Sequence, residues 1–547
     1  MLGWLLTRIG SAPLIALALL SIVPSAVVFL LGATQFEKDS TVVRPRLQLL
    51  ATAVVASMGA LTGPVRDCSV RVEVYALAAF FVLCAIHTAQ STRRFAAILT
   101  GALLGCAAAT NPVVAVQGVG VALLLYTRPG RLRNAVMVVS SAVLVAIVCY
   151  GYAAAAVSRE ASTLVWGAPR DATSWMSLIF ARDFAQNISL SLGQTTRNMV
   201  AFCGLLLRSG CGEWLLLGLL GLALKNDDKR VDRWFWPAVI ATTVGLLMVA
   251  ANGEYLENNP DYGGYLLVAC GLCTRGLVRL CLMREFSRFV SAVSISILLA
   301  ITVTITWKHG RSAGTTRAIA THTLQHAPVR SIAVLASDHV LFAALYLQHV
   351  ERMRTDVVII NPGWASSRWA WRWIQAQDPS LRVDLRPGLG RAQRLANTLQ
   401  NRGDRAAVAE TPLYLSSTQG HTQGVCPRGM LWVTHEGCDA TTRSTRSTAE
   451  WLSGLRHRAD SRRDVWGQRM IRYTAALFAD GVRASGCSGV ARRIYAAGLG
   501  QSSSATGVNC GFVAATTEDP PNILTITDAE LLARIEATQR DGARDVR

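Results

Sequence analysis

Residues 135–157 read AVMVVSSAVLVAIVCYGYAAAAV, without a single charged side chain. A helix rises about 1.5 Å per residue, and roughly 20 apolar residues cross the hydrocarbon core of a bilayer. The stretch is therefore long enough to span, and Arg128, Arg131 and Arg133 stand just before it. Basic residues concentrate on the cytoplasmic side of spans, so this flank orients the segment as well. Further apolar runs recur at 12–33, 47–63, 72–91, 96–109, 112–126, 212–224, 234–251, 263–281 and 289–307. Together they predict an α-helical multi-pass membrane domain over residues 1–309, with about ten helices. The runs 96–109 and 112–126 flank Asn111-Pro112 and read either as a tight hairpin or as one broken span. A cleavable signal peptide does not account for the pattern, because one apolar run near the start leaves the others unexplained.

Composition agrees. The 547 residues are 51% hydrophobic and 16% charged, with a mean hydropathy of +0.32. A soluble domain carries about 25% charged residues, so an ordinary soluble enzyme and a disordered chain are both excluded. The shortfall is uneven: residues 1–307 hold 39 charges, and the remaining 240 residues hold 50. The net charge of +19 does not indicate a nucleic-acid partner. Its excess divides evenly between the two parts, 50 of the 54 cations are Arg, and no dense basic block occurs. A basic stripe with interleaved aromatics is the expected footprint of such binding.

Placing Arg93-Arg94, Arg128 to Arg133, the 225–233 stretch and Arg275 to Arg288 on the cytoplasmic side gives a consistent alternation. The 158–211 loop, the acidic 252–262 loop and the C-terminal region then face outward, predicting a cell-membrane (inner-membrane) protein with a periplasmic or extracellular C-terminal domain. The N-terminus faces outward too, which predicts that the chain begins one span short. At the mouth of the 72–91 run stand Arg66, Asp67, Arg71, Glu73 and Tyr75. They read either as interfacial anchors or as a polar site facing an outer cavity, since ionisable groups at membrane depth are costly. Trp166, Arg182 and Asp183 lie in aromatic and charged stretches of the 158–211 loop. That loop lies on headgroups, or it is a lid in which Arg holds a sugar or lipid phosphate. Asp261 and Tyr262, with Glu254 and Glu257, form an acidic mouth that is either a solvated loop or a base or cation site.

From about residue 310 the pattern becomes short strands alternating with helices. Ser331 to Ala336 and Asp356 to Ile360 read as buried strands, and Ser337-Asp338 opens a helix running to about 352. Strand-helix-strand order predicts a parallel sheet in a soluble α/β domain over 310–445, followed by a helical C-terminal tail region over 446–547. Asp338 sits where α/β sheets bind ligands, and where an N-cap residue would also sit. The nine His have no zinc-site spacing, so no metal site is predicted; no phosphate-binding glycine loop and no nucleophile elbow occur either. Four cysteines fall in the outer part, Cys426, Cys438, Cys487 and Cys510, and an even count outside the membrane suggests two disulfides. Proximity favours Cys426–Cys438 and Cys487–Cys510 among three pairings. The other nine cysteines read as small apolar residues.

Val72-Glu73-Val74-Tyr75-Ala76-Leu77, Thr110-Asn111-Pro112, Trp166-Gly167-Ala168-Pro169 with Arg182-Asp183-Phe184, and Asn259-Pro260-Asp261-Tyr262 leading into Tyr265-Leu266-Leu267 occur in that order. With Ala336-Ser337-Asp338-His339 and Asp356 to Ile359, the chain resembles, over roughly residues 1–375, a bacterial family of polytopic membrane proteins. That family is related to protein O-mannosyltransferases, within the GT-C glycosyltransferase superfamily. The resemblance implies a GT-C-like membrane domain that transfers a sugar from a polyprenyl-phosphate donor to an acceptor, a protein hydroxyl or a glycan, on the outer face. It implies no cofactor beyond the lipid-linked donor and leaves a divalent metal open. The family's main carboxylate precedes the point where this chain begins, so Glu73 and Asp67 become the candidate catalytic acids. Arg66, Arg71, Tyr75, Asn111, Trp166, Arg182, Asp183, Asp261 and Tyr262 become the candidate substrate-binding residues. The alternative is a catalytically silent membrane protein that binds a lipid or a protein partner through its outer domain.

Overall fold

Ten apolar runs predict spans, but helix ends decide how far each one reaches. In the computed structural model, the described residues are 74–91, 95–119, 130–159, 175–176, 191–208, 211–224, 234–251, 264–282, 314–366, 368–384, 391–410, 415, 425–434, 441–458, 465–484, 488–499 and 532–537. They divide into two compact units. One comprises Met1–Ala155 with Met176–Trp307, and the other Ala156–Trp175 with Lys308–Arg547.

The first unit is helical: α1 (Val74–Ala89), α2 (Ala96–Thr110), α3 (Pro112–Val116), α4 (Arg131–Arg159), α5 (Leu192–Arg208), α6 (Cys211–Ala223), α7 (Phe235–Ala250) and α8 (Leu267–Leu282). The expected multi-pass domain is corrected here. Among the described residues one helix, Leu132–Tyr152 within α4, is long and apolar enough to cross a membrane. The segments Tyr75–Ala89, Ala96–Thr110, Cys211–Ala223 and Phe235–Ala250 are apolar but shorter. The reasons are local. Pro112 holds Asn111 extended, at φ −153° and ψ 103°, so α2 stops at Thr110. The apolar stretch of α8 is interrupted by Arg275 and Arg279, both buried, with the Arg275 guanidinium 5.9 Å from the centre of the Trp234 ring. The runs 12–33, 47–63 and 289–307 lie outside the described residues.

Only 6% of the apolar window of α4 is buried, and Val139, Leu144, Ile147 and Val148 are exposed. Its covered edge meets α2 through two glycines. A Cβ at Gly105 would lie 2.5 Å from the Ala142 carbonyl, and one at Gly101 would overlap the Val138 carbonyl and the Ser141 hydroxyl. Packing of α6 on α8 is closer still: Gly218, Gly221 and Gly276 put backbone directly against backbone. Small residues at such crossings let helices gain van der Waals contact where apolar burial alone supplies little drive. Interhelical polar contacts complete the packing, with the Thr88 and Thr100 hydroxyls 2.9 Å apart and Asn198 Nδ2 donating to Ala250 O at the end of α7.

In the second unit, α9 (Thr315–His326) precedes β1 (Ile332–Val334), α10 (Asp338–His349), β2 (Val358–Ile360), α11 (Arg368–Gln377), α12 (Arg391–Gln400) and β3 (Ala407–Ala409). Then come β4 (Val425–Arg428), β5 (Leu431–Thr434), α13 (Thr441–Arg458), α14 (Val465–Ala484) and α15 (Ser488–Gly498). The strand order is β2-β1-β3-β5-β4. β1 pairs in parallel with β2 (Ile332 with Val358) and with β3 (Ile332 with Ala407). β5 is antiparallel to both β3 and β4, so the small sheet is mixed, correcting the parallel sheet expected. The cause is the two-residue turn Gly429-Met430 between β4 and β5, because a tight hairpin reverses the strand. Gly429 has φ +62°, and the His326 ring fills the space where a side chain would go.

One arginine closes α9. Arg354 donates to the carbonyls of Leu324, Ala327 and Pro328, which the helix end and the following turn would otherwise leave unsatisfied, and it pairs with Asp356 at 2.9 Å. The guanidinium holds the Asp356 carboxyl down at about 2. On the same helix, His322 is buried with its ring stacked 4.1 Å from that of Trp451. Burial, reinforced by neighbouring His326, pushes its pKa down to about 4.

Two outcomes follow from this packing. Gly276→Leu forces two backbones apart and costs about 1–3 kcal/mol as overpacking, read as a fall in the thermal midpoint of the full chain. Gly151→Ala on α4, where nothing lies within 4 Å, leaves that midpoint unchanged or slightly raised. For His322 the folded pKa lies below the ordinary value of 6.5, so its contribution to stability is complete above that pH and is lost as pH falls toward 4. Tryptophan-monitored melts at neutral pH and at roughly pH 5 measure this slope. The variant His322→Phe flattens it.

Candidate functional site

Three segments of the helical unit, each carrying a motif noted in the sequence, meet at one place. The start of α1 supplies Tyr75, the break between α2 and α3 supplies Asn111 and then Gln117, and the approach to α8 supplies Gly264 and Tyr265. Asn111 Oδ1 accepts from the backbone N–H groups of Val113 and Val114, so this side chain caps α3 while Pro112 fills the first helical position. The short helix turns into a 3-10 turn at Gln117–Val119, which packs against α1 and α7. Gln117 is fully buried there and donates from Nε2 to Tyr265 O at 2.6 Å.

The two tyrosine rings meet edge to face with centroids 5.2 Å apart. A Cβ at Gly264 would sit 2.6 Å from Tyr75 Cγ, so glycine is what lets the ring rest against the chain. The remaining oxygen of the amide, Gln117 Oε1, is buried and has no hydrogen-bond partner among the described residues. Buried polar atoms are nearly always paired, so among the described residues this acceptor is left open to a hydroxyl, a water or an amine. Along the outer face of α5 in the same unit runs an open groove of about 840 Å³, lined by Leu192, Gly193, Thr196, Arg197, Val200 and Gly204 among others. Among the described lining residues Arg197 carries the charge, and it donates to Gln194 Oε1 at 2.9 Å.

The α/β unit has a second constellation. The chain leaves β1 toward β2 on one side and later returns as β3 on the other, which makes a switch point at the carboxyl ends of the strands. Glu410 follows β3 directly, and its Oε2 accepts from the backbone N–H groups of Ala336 and Ser337 at 2.7 and 3.1 Å. Asn361 follows β2, donates to Leu335 O and accepts from Trp364 N. Ser337 holds the N-cap position of α10 without a capping bond from its own side chain, and Asp338 is the first helical residue. A carboxylate just past β3 thus binds the backbone immediately before α10.

Of the candidates named from sequence, Tyr75 and Asn111 fall at the helical cluster and Asp338 at the sheet edge. Asp67, Glu73, Arg66, Arg71, Trp166, Arg182, Asp183, Asp261 and Tyr262 lie outside the described residues, as do Cys438, Cys487 and Cys510. Cys426 lies in β4, opposite Val433. Among the described residues no group of three or more His, Cys, Asp or Glu side chains could hold a metal. Sequence reasoning passed over Gln117 and Glu410, and it quoted Tyr265 within a motif without giving it a role; the available signal for Gln117 was a lone amide inside an apolar run. No protein-family model, curated protein or solved structure matches the chain.

The sheet edge makes a direct prediction. Glu410→Ala leaves the buried Ser337 N–H and the half-buried Ala336 N–H without this acceptor and costs about 2–3 kcal/mol. Glu410→Gln retains a carbonyl oxygen and recovers part of that loss, as chemical denaturation of the full chain measures.

Proposed function

We propose that the protein transfers a sugar from a polyprenyl-phosphate donor to an acceptor at the outer face of the cell membrane. The observation that carries this reading is the unpartnered Gln117 Oε1 beside Tyr75 and Tyr265, at the meeting point of three of the motifs that resemble the O-mannosyltransferase-related family. A buried acceptor next to aromatic rings suits a hydroxyl-rich ligand. The apolar groove on α5, with Arg197 among its described lining residues, suits a hydrocarbon chain ending in a phosphate. Glu73 directly precedes α1 in the chain and is the acid assigned to deprotonate the acceptor hydroxyl, with Asp67 as the second candidate.

The flank of α4 supports this orientation. Its N-terminal flank carries Arg128, Arg131 and Arg133, which favours the cytoplasmic side for that end. The outward placement of the C-terminal region rests on the alternation of basic loops in the sequence.

Transfer from polyprenyl-phosphate mannose to an acceptor peptide, by membranes containing the full chain, tests the activity. The expected result is transfer that falls at least about 100-fold in the Glu73→Gln, Asp67→Asn double variant, the scale of a lost general base. Gln117→Leu raises the KM for the donor. Donor binding without transfer establishes instead the silent lipid-binding protein. In a parallel measurement, alkaline phosphatase fused after Arg547 is active, whereas a cytoplasmic C-terminus leaves it inactive.

A further inference from the structure

Nine of the thirteen cysteines lie in the first 307 residues, where the sequence makes them small apolar side chains. Two of them do more than fill space. Cys211 is the first residue of α6 and Cys270 lies in the first turn of α8. Their Sγ atoms are 3.5 Å apart, and the two residues are 0% and 1% exposed. A disulfide has an S–S length of about 2.05 Å and joins side chains whose Cβ atoms already approach within about 3.5–4.5 Å, so closure needs the thiols to move together by roughly 1.5 Å. The helices cannot drift away from this arrangement. Gly218, Gly221 and Gly276 lock them backbone to backbone further along, and Trp214 Nε1 donates to Cys270 O at 3.3 Å right beside the pair.

We propose that Cys211 and Cys270 form a disulfide that cross-links α6 to α8. The co-reactant is a disulfide-bearing thiol oxidant, protein or small molecule. The Cys211 thiol loses its proton to solvent and its sulfur attacks the second of the oxidant's two sulfurs, so that the first leaves as a thiolate and a mixed disulfide forms. The Cys270 sulfur, likewise deprotonated, then attacks Cys211 Sγ. The second oxidant sulfur departs with the electron pair of the broken bond. Two thiols are oxidised by two electrons, and the oxidant disulfide is reduced to two thiols. Because both sulfurs are buried in the folded unit, the exchange takes place before α6 docks or when its first turn opens. Cys273, three residues along α8, packs under Gly218 of α6, and its Cβ is part of the glycine-locked contact.

The test uses the full chain purified from membranes without reductant, alkylated under denaturing conditions and digested, and the same preparation after oxidised glutathione is added during mild warming. The expected result is a peptide pair joined through Cys211 and Cys270, present at isolation or formed on oxidation and released by reductant. Oxidation raises the thermal midpoint of the wild-type chain and of Cys273→Ser, and leaves that of Cys211→Ser unmoved. Complete alkylation of both thiols after oxidation overturns the proposal, and so does a bridge from Cys211 to Cys273. A Cys211→Ala, Cys270→Ala chain that folds with the wild-type reduced midpoint keeps the test independent of any loss of packing.

Discussion

The helical unit depends on one constraint: three glycines hold α6 and α8 at backbone contact. Gly218 and Gly221 face Cys273 and Gly276, and any side chain at these positions would occupy space already taken by a carbonyl. Close approach multiplies small dispersion contacts, which are individually about 0.1–0.2 kcal/mol and decisive only in number. The buried Arg275 sits over Trp234 within this frame, and α7 packs on α8, so its position follows from the same contact. Tyr265 just precedes α8, and it carries both the carbonyl that Gln117 binds and the ring that Tyr75 meets. The candidate sugar site is therefore positioned by a packing contact that contains none of its residues.

The α/β unit solves a different problem. Its strands β1, β2 and β3 are three residues long and buried at every position, so they contribute few ladder bonds and rely on the helices around them. Single side chains bridge the gaps that such short strands leave. Glu410 ties β3 to the start of α10, Asn361 ties β2 to β1, and Arg354 satisfies carbonyls at the end of α9. Each is a charged or amide group bound to backbone, where removal strands a buried partner, and each lies at an edge of the sheet or a helix end.

How much of this was legible depended on whether the signal was local. Apolar composition is local, so the runs 72–91, 96–109, 135–157, 212–224, 234–251 and 263–281 each correspond to a helix. Their spanning length was not legible in the same way, because Asn111-Pro112 and the buried arginines of α8 shorten what hydropathy extends. α5 falls inside a stretch read as an outer loop. Its polar residues Gln194, Arg197 and Asn198 look solvated until Asn198 finds Ala250 O across the fold. β3 is Ala407-Val408-Ala409, too short and too weak in strand preference to stand out. Gln117 and Glu410 bind partners 148 and 74 positions away, a distance over which no periodicity speaks.

Hydrogen exchange on the full chain in lipid discs, with and without polyprenyl-phosphate mannose, tests the central claim most directly. The account predicts donor-dependent protection at the start of α1, at residues 111–119 and around Tyr265, with the sheet edge at Ser337 and Glu410 unchanged. Protection confined to the sheet edge, or none at all with saturating donor, would contradict it.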